Sequence, residues 1–394
     1  MILSFDFLAN LTKNYVVLPC FMRKIKVIND KKQRMKKLNL LFLALMGLFF
    51  VACDSNDDTH GDWAKSVEFS GGNRVCAVSF TDPKNGDVYI GMGYNSNLTT
   101  NADQYMRDFW VYNGAGWQKV ADGDFPKEGR KGSVAFVIDR IAYVGAGYRG
   151  TFAGHTIEEY FSDFYLFDLD KKEWIKEDNG DFKKIDITDF EKNSEECSFA
   201  DGIAFTHNGK GYVGTGQLKN RVFKTIFCYD PKTGKWSDSN FNGDSRVGAV
   251  TFTIGERTVV CLGTAGSACT DVHIFDGEWH RMAPLKDLSG KWNDDYDDIP
   301  RSYAIAFAAV DRGVTKGFIA GGNKRSCWLY DINRDRWNEV TGFPAAMITR
   351  FGAIGFSYGD YGYITTGGSS ISTSDDNSTW VFYPGIKEDD NNDY

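Results

Sequence analysis

Proline is scarce in this sequence, eight among 394 residues, and histidine is scarcer, with five copies far apart. No Cys-x-x-Cys and no Gly-x-Ser-x-Gly occurs, so neither a thioredoxin-type redox pair nor a nucleophile elbow is available. A basic excess is also missing: beyond residue 52 the chain holds 36 Lys/Arg against 51 Asp/Glu, which excludes a phosphate-binding footprint and makes nucleic acid an unexpected partner. Long stretches of helical period are absent as well. What the chain does have is 42 Gly and 59 aromatic residues, the balance expected of many short strands joined by tight turns.

The first 52 residues read as processing information. Lys36 and Lys37 precede an apolar stretch from Leu38 to Ala52, too short to span a bilayer and flanked like a secretory signal. Ala52 followed by Cys53 resembles a bacterial lipobox, which implies cleavage before Cys53 and lipid attachment at its thiol. The acidic run DSNDDTHGD after it resembles the surface-export signal of Bacteroides-type lipoproteins. The expected organisation is a removed segment 1–52, a lipidated tether 53–61, a folded domain 62–384 and an acidic tail 385–394. That implies attachment to the outer membrane, facing outward.

A unit of about 50 to 70 residues recurs six times. Five copies open with an arginine six residues ahead of a phenylalanine: Arg74, Arg130, Arg246, Arg301 and Arg350; the other, FADGIAF, has Phe199 in the arginine's place. Each opening is followed by a strand-like run ending in glycine, at Gly93, Gly147, Gly216, Gly266, Gly322 and Gly368. A third run closing on an acid or amide comes next, then a tryptophan: Trp117, Trp174, Trp236, Trp279 or Trp337. The sixth copy lacks its tryptophan, while Trp63 precedes Arg74 by 11 residues, close to the 10 to 13 that separate Trp236, Trp117 and Trp337 from the next arginine. The reading is all-β: a six-bladed β-propeller whose last blade is completed by an amino-terminal strand, which removes free sheet edges.

With its paired glycine, aromatic-Asp and tryptophan, this unit resembles the kelch repeat over roughly residues 62 to 384. Only Gly321-Gly322 and Gly367-Gly368 are true pairs. Galactose oxidase is built on a related propeller and needs an adjacent Tyr-His pair; none occurs here, so that activity is not carried over. The kelch-type sialic acid mutarotases are the enzymes to which the resemblance points as a rival reading.

Four antiparallel strands per blade, a to d, put the a–b and c–d turns on one face and the b–c and d–a connections on the other. The second set is longer, as at Tyr94–Arg107, Tyr148–Ser162, Ile175–Glu196 and Arg281–Pro300, and such loops on a rigid scaffold usually carry function. The arginines begin at that face. Arg74, Arg130, Arg246, Arg301 and Arg350 are therefore candidate ligand contacts through forked hydrogen bonds, against the alternative of pairing within the blades. Tyr94, Tyr148 and Arg149 follow the glycines and are candidate stacking or binding residues. His155 with Glu158 and Glu159 is the one histidine placed for acid–base work; GAGYRG at Gly145 fits G-x-G-x-x-G with no helix-period stretch after it, DSNFNG at Asp238 starts like a calcium loop but ends on Ala249, and NDDYDD at Asn293 concentrates carboxylates in a long loop. No catalytic residue, metal or cofactor is assigned. The expected function is binding of a glycan or an envelope protein on the long-loop face, with a sugar-acting enzyme and a structural partner in an envelope assembly as alternatives.

Overall fold

The computed structural model describes residues 60–99, 104–150, 158–189, 197–286, 296–344, 347 and 349–387. They form six antiparallel sheets of four or five strands, here called blades 1 to 6, and two two-stranded ladders. Blade 1 runs Val78–Thr81, Val88–Gly91, Phe109–Tyr112 and Trp117–Lys119, strands a to d in sequence order. Blades 3, 4 and 5 repeat this order, opening at Ile203–His207, Val250–Ile254 and Ala304–Asp311. Blade 2 opens at Val134–Ile138 and splits its outer strand, because Glu173–Trp174 and Lys184–Asp186 pair with different parts of Asp163–Asp168. In blade 6, Ile354–Tyr358, Tyr361–Thr365 and Thr379–Lys387 are followed outward by His60–Lys65, with Trp63 opposite Phe382 and Lys65 opposite Trp380. The sheet so joins the first and last described strands.

Strand alternation decides which side chains fill the wedges between blades. In five blades an aromatic of strand a stacks nearly parallel on its cross-strand neighbour in strand b: Phe80 on Tyr89, Phe136 on Tyr143, Phe205 on Tyr212, Phe307 on Phe318 and Phe356 on Tyr363. The tryptophans bridge to the preceding blade. Trp63, Trp117, Trp174 and Trp279 donate their indole N–H to the carbonyls of Thr341, Val67, Gly123 and Ser239, all in the connection that precedes their own blade in space. The acids ending strand c cap the next turn, as Asp168, Asp230 and Asp331 accept amide hydrogens two or three residues on.

At the end of strand b one glycine per blade donates its N–H to the backbone carbonyl at the arginine position of the next blade. These bonds are Gly93 to Arg130, Gly147 to Phe199, Gly216 to Arg246, Gly263 to Arg301, Gly322 to Arg350 and Gly367 to Arg74, at 2.7–2.9 Å. Gly216 has φ +86°, and a Cβ there would run into the Ala200 carbonyl oxygen. Gly216→Ala is therefore expected to cost about 1–3 kcal/mol in denaturant unfolding, by strain and by loosening the blade 3 to blade 4 bond. An unchanged midpoint would mean the turn relaxes without loss.

Candidate functional site

The five repeated arginines are not at the surface. Arg74, Arg130, Arg246, Arg301 and Arg350 are 0–2% exposed, and each folds back into its own blade. One guanidinium nitrogen donates to the carbonyl of a residue with positive φ at the end of strand b: Met92, Ala146, Leu262, Gly321 or Thr366. The guanidinium also meets an acid or hydroxyl at the start of strand c: Asp108, Asp163, Asp271, or Ser326 and Ser378, the last two backed by Asp298 and Asp376. Arginine recurs because the left-handed turn before each b–c connection exposes a carbonyl inside the blade that needs a long, forked donor. Of the two readings of these arginines, ligand contact and pairing within the blades, their burial and partners fit the second. In blade 3 Phe199 stands in the arginine's place, and Thr225 holds the position that Ser326 and Ser378 hold in blades 5 and 6.

Two residues beyond each arginine position, the six chains meet around the axis. Cys76, Gly132, Asp201, Gly248, Tyr303 and Gly352 all have φ between +49° and +64°. Each donates its N–H to the carbonyl of the previous member at 2.8–3.2 Å, and Cys76 donates to Gly352, so the bonds form a closed circle. Side chains alternate with glycines around it. The reason is space: a Cβ on Gly132 would meet the Asp201 carboxylate, one on Gly248 the Tyr303 ring at 2.9 Å, and one on Gly352 the Cys76 sulfur at 2.8 Å. Every glycine makes room for the side chain of the next blade.

Three polar side chains consequently converge on the axis, where a cavity of about 130 Å³ is lined by all six blades. Asp201 Oδ2 accepts from the Tyr303 hydroxyl at 3.2 Å and from Gln217 Nε2 at 3.4 Å. Burial pushes the Asp201 carboxyl above the ordinary range, against the opposing pull of Lys131 and of its hydrogen bonds from Tyr303, Cys76 and Gln217. The Cys76 thiol is pushed up as well, first by burial and then by Asp201. A carboxyl whose folded pKa is raised weakens the fold as pH climbs through and above its unfolded value. Asp201→Asn is thus expected to raise the thermal midpoint at neutral pH, with the gain shrinking as pH falls to about 3, where the wild-type carboxyl is protonated in both states. A lower midpoint at pH 7 would show that the ionised carboxylate is a net stabiliser.

Above this circle, on the face of the b–c and d–a connections, the a–b ladders extend by single bridges, Val75 with Tyr94 and Lys131 with Tyr148. Tyr94 packs against Tyr105 at 5.1 Å between ring centres, and Tyr148 against Tyr160 at 4.8 Å. The Tyr105 hydroxyl accepts the Gly150 N–H, which fixes the wall between blades 1 and 2. Lys131 Nζ lies 5.3 Å from the Tyr94 ring centre and 6.0 Å from that of Tyr148, and donates to the Ile371 carbonyl at 2.9 Å. Tyr94, Tyr148, Tyr160, Lys131, Asp201, Gln217 and Tyr303 are all half-buried, so each keeps surface to offer. The mouth of the axis combines aromatic faces, one ammonium, one carboxyl and amide and hydroxyl donors.

Of the residues expected at a site, Tyr94 and Tyr148 do stand at this mouth. Arg149 sits beside them in a two-residue ladder opposite Glu159. Glu158 and Glu159 are exposed, while His155, Cys53 and the first three residues of NDDYDD lie outside the described residues. Asp298, from the end of that loop, is engaged with Lys324 and Ser326. GAGYRG is the strand-b ending of blade 2 followed by the Tyr148–Arg149 strand, and the residues after Gly150 lie outside the described ones until Glu158. Among the described residues no group of His, Cys, Asp or Glu is arranged to hold a metal ion; Cys76, Cys228, Cys261, Cys269 and Cys327 are free and buried, and Cys197 is buried as well.

Fold and axis together define a six-bladed β-propeller. No family model matches the chain, and no curated protein matches it in sequence. In architecture it is similar to the solved structure of YjhT, with a TM-score of 0.55 and 16% identity over 79% of this chain and 95% of that one. The likeness is one of fold.

Proposed function

We propose that this chain is a ligand-binding module built on a kelch-like propeller, and that its ligand is a hydroxyl-rich glycan held at the axial mouth. The observation that carries the reading is the pair of half-exposed tyrosines, Tyr94 and Tyr148, flanking Lys131 above Asp201 and Tyr303. Sugar rings offer C–H faces to aromatic rings and hydroxyls to mixed donors and acceptors, and this mouth has both kinds of partner. The five arginines take no part. The module is carried on the outer membrane by a lipid on Cys53, the role that the lipobox-like Ala52-Cys53 and the acidic tether support. In titrations with oligosaccharides, Lys131→Met is expected to weaken binding about tenfold, equivalent to about 1.4 kcal/mol, with little change in thermal stability. Unaltered affinity would remove Lys131, and with it the mouth, from the binding surface; capture of a stoichiometric envelope protein without glycan binding would favour a docking role.

A second reading, a sugar-acting enzyme similar to the kelch-type sialic acid mutarotases, is favoured by Asp201 alone. A carboxyl held toward its protonated form beside a cavity is the kind of group that acts as a general acid. Turnover of a bound sugar, lost in Asp201→Asn while binding persists, would move the assignment to that enzyme.

A further inference from the structure

Where the chain enters the propeller bears on what the mouth can reach. His60 begins the outer strand of blade 6, opposite Lys387 at the far end of strand c, and its ring bonds Asp311 and Arg312 in the a–b turn of blade 5. These groups all belong to the face of the a–b and c–d turns. The axial mouth, with Tyr94, Tyr148 and Lys131, opens on the opposite face. Cys53 precedes His60 by seven residues, a length of chain that spans at most about 25 Å however it runs. Turning the mouth toward the bilayer would require that segment to climb the outside of blade 6, and the strand His60–Lys65 alone is about 20 Å long. The remaining 5 Å or so cannot carry the chain over the rim to the axis.

We infer that the a–b and c–d turn face is turned to the bilayer and that the axial mouth points away from it, so the ligand is a soluble or externally displayed glycan and not a headgroup of the protein's own membrane. This rests on the lipid anchor at Cys53 and on the mouth being the ligand site.

The test uses the lipidated full chain in phosphatidylcholine vesicles that contain a headgroup-spin-labelled quencher lipid. A fluorophore is attached either to Lys232→Cys, in the exposed c–d turn of blade 3, or to Ala265→Cys, exposed in the b–c connection of blade 4; the six cysteines of the propeller are buried. Quenching is expected to be several-fold stronger at position 232 than at 265, and flotation with the vesicles is expected to vanish in Cys53→Ser. Equal quenching at both positions, or stronger quenching at 265, overturns the orientation while leaving the anchor intact. A wild-type chain that does not float with the vesicles overturns it through the anchor. Neither arm contains a glycan, so failure of the ligand reading is registered separately by titration.

Discussion

Arg246→Ala is expected to lose about 3–5 kcal/mol of folding free energy, a larger stability effect than that of any glycine or axial substitution in the propeller. Arg246 is fully buried, and its guanidinium bonds the Leu262 carbonyl, the Asp244 carbonyl and the Asp271 carboxylate. Truncation leaves Asp271, itself 2% exposed, facing only His273 and the Asp244 N–H. Blade 3 indicates the remedy: Phe199 fills the arginine's place, and the position opposite it at the start of strand c is Thr225, uncharged like Ser326 and Ser378. Arg246→Phe combined with Asp271→Thr is therefore expected to be more stable than either single variant in urea unfolding. If the double variant is worse than both singles, the pairing of Arg246 with Asp271 supplies more than charge compensation.

The same carboxylate gives the effect a pH signature. Burial alone would raise the Asp271 pKa, but hydrogen bonding from His273, the Arg246 charge and the Asp244 amide more than offset it and hold the carboxyl well below its usual range. A depressed carboxyl contributes stability that is complete above its unfolded value, about 3.9, and is lost as pH falls toward the folded value. Removing Arg246 shifts acid unfolding to higher pH.

For ligand binding, the double variant Tyr94→Ala, Tyr148→Ala is expected to reduce affinity at least a hundredfold, equivalent to about 2.7 kcal/mol shared between two aromatic faces. Both rings are half-exposed and stand above the closed circle of backbone bonds, so circular dichroism and the thermal midpoint are expected to change little beside the loss of binding. Conservative Tyr→Phe changes at the same positions keep the stacking surface and separate ring contact from hydroxyl contact. Retained affinity in the Phe pair and loss in the Ala pair is the pattern of a stacking site.

Blade number and strand order were legible because each blade repeats the same local necessities: glycine where strand b meets the next blade, aromatics in the wedge, an acid at the c–d turn. The arginines were legible as a repeat but not in direction. Their spacing does not say whether a guanidinium faces the axis or folds back into the blade. Asp201, Cys76 and Tyr303 were missed for a related reason. Their signal was the alternation Cys, Gly, Asp, Gly, Tyr, Gly two residues past the arginine position, which has meaning only once six chains are brought to a common axis. Lys131 carries no repeat signal at all, and its place between Tyr94 and Tyr148 follows from the closeness of blades 1 and 2.

The most direct measurement is equilibrium titration of residues 54–394 against a panel of polysaccharides, oligosaccharides and free acidic sugars, with the Tyr94→Ala, Tyr148→Ala variant and Lys232→Ala from the opposite face run in parallel. Saturable binding of at least one glycan, abolished in the tyrosine pair and unchanged in Lys232→Ala, is the predicted result. Binding that survives loss of both tyrosines, or none to any glycan on the panel, would contradict an axial glycan site.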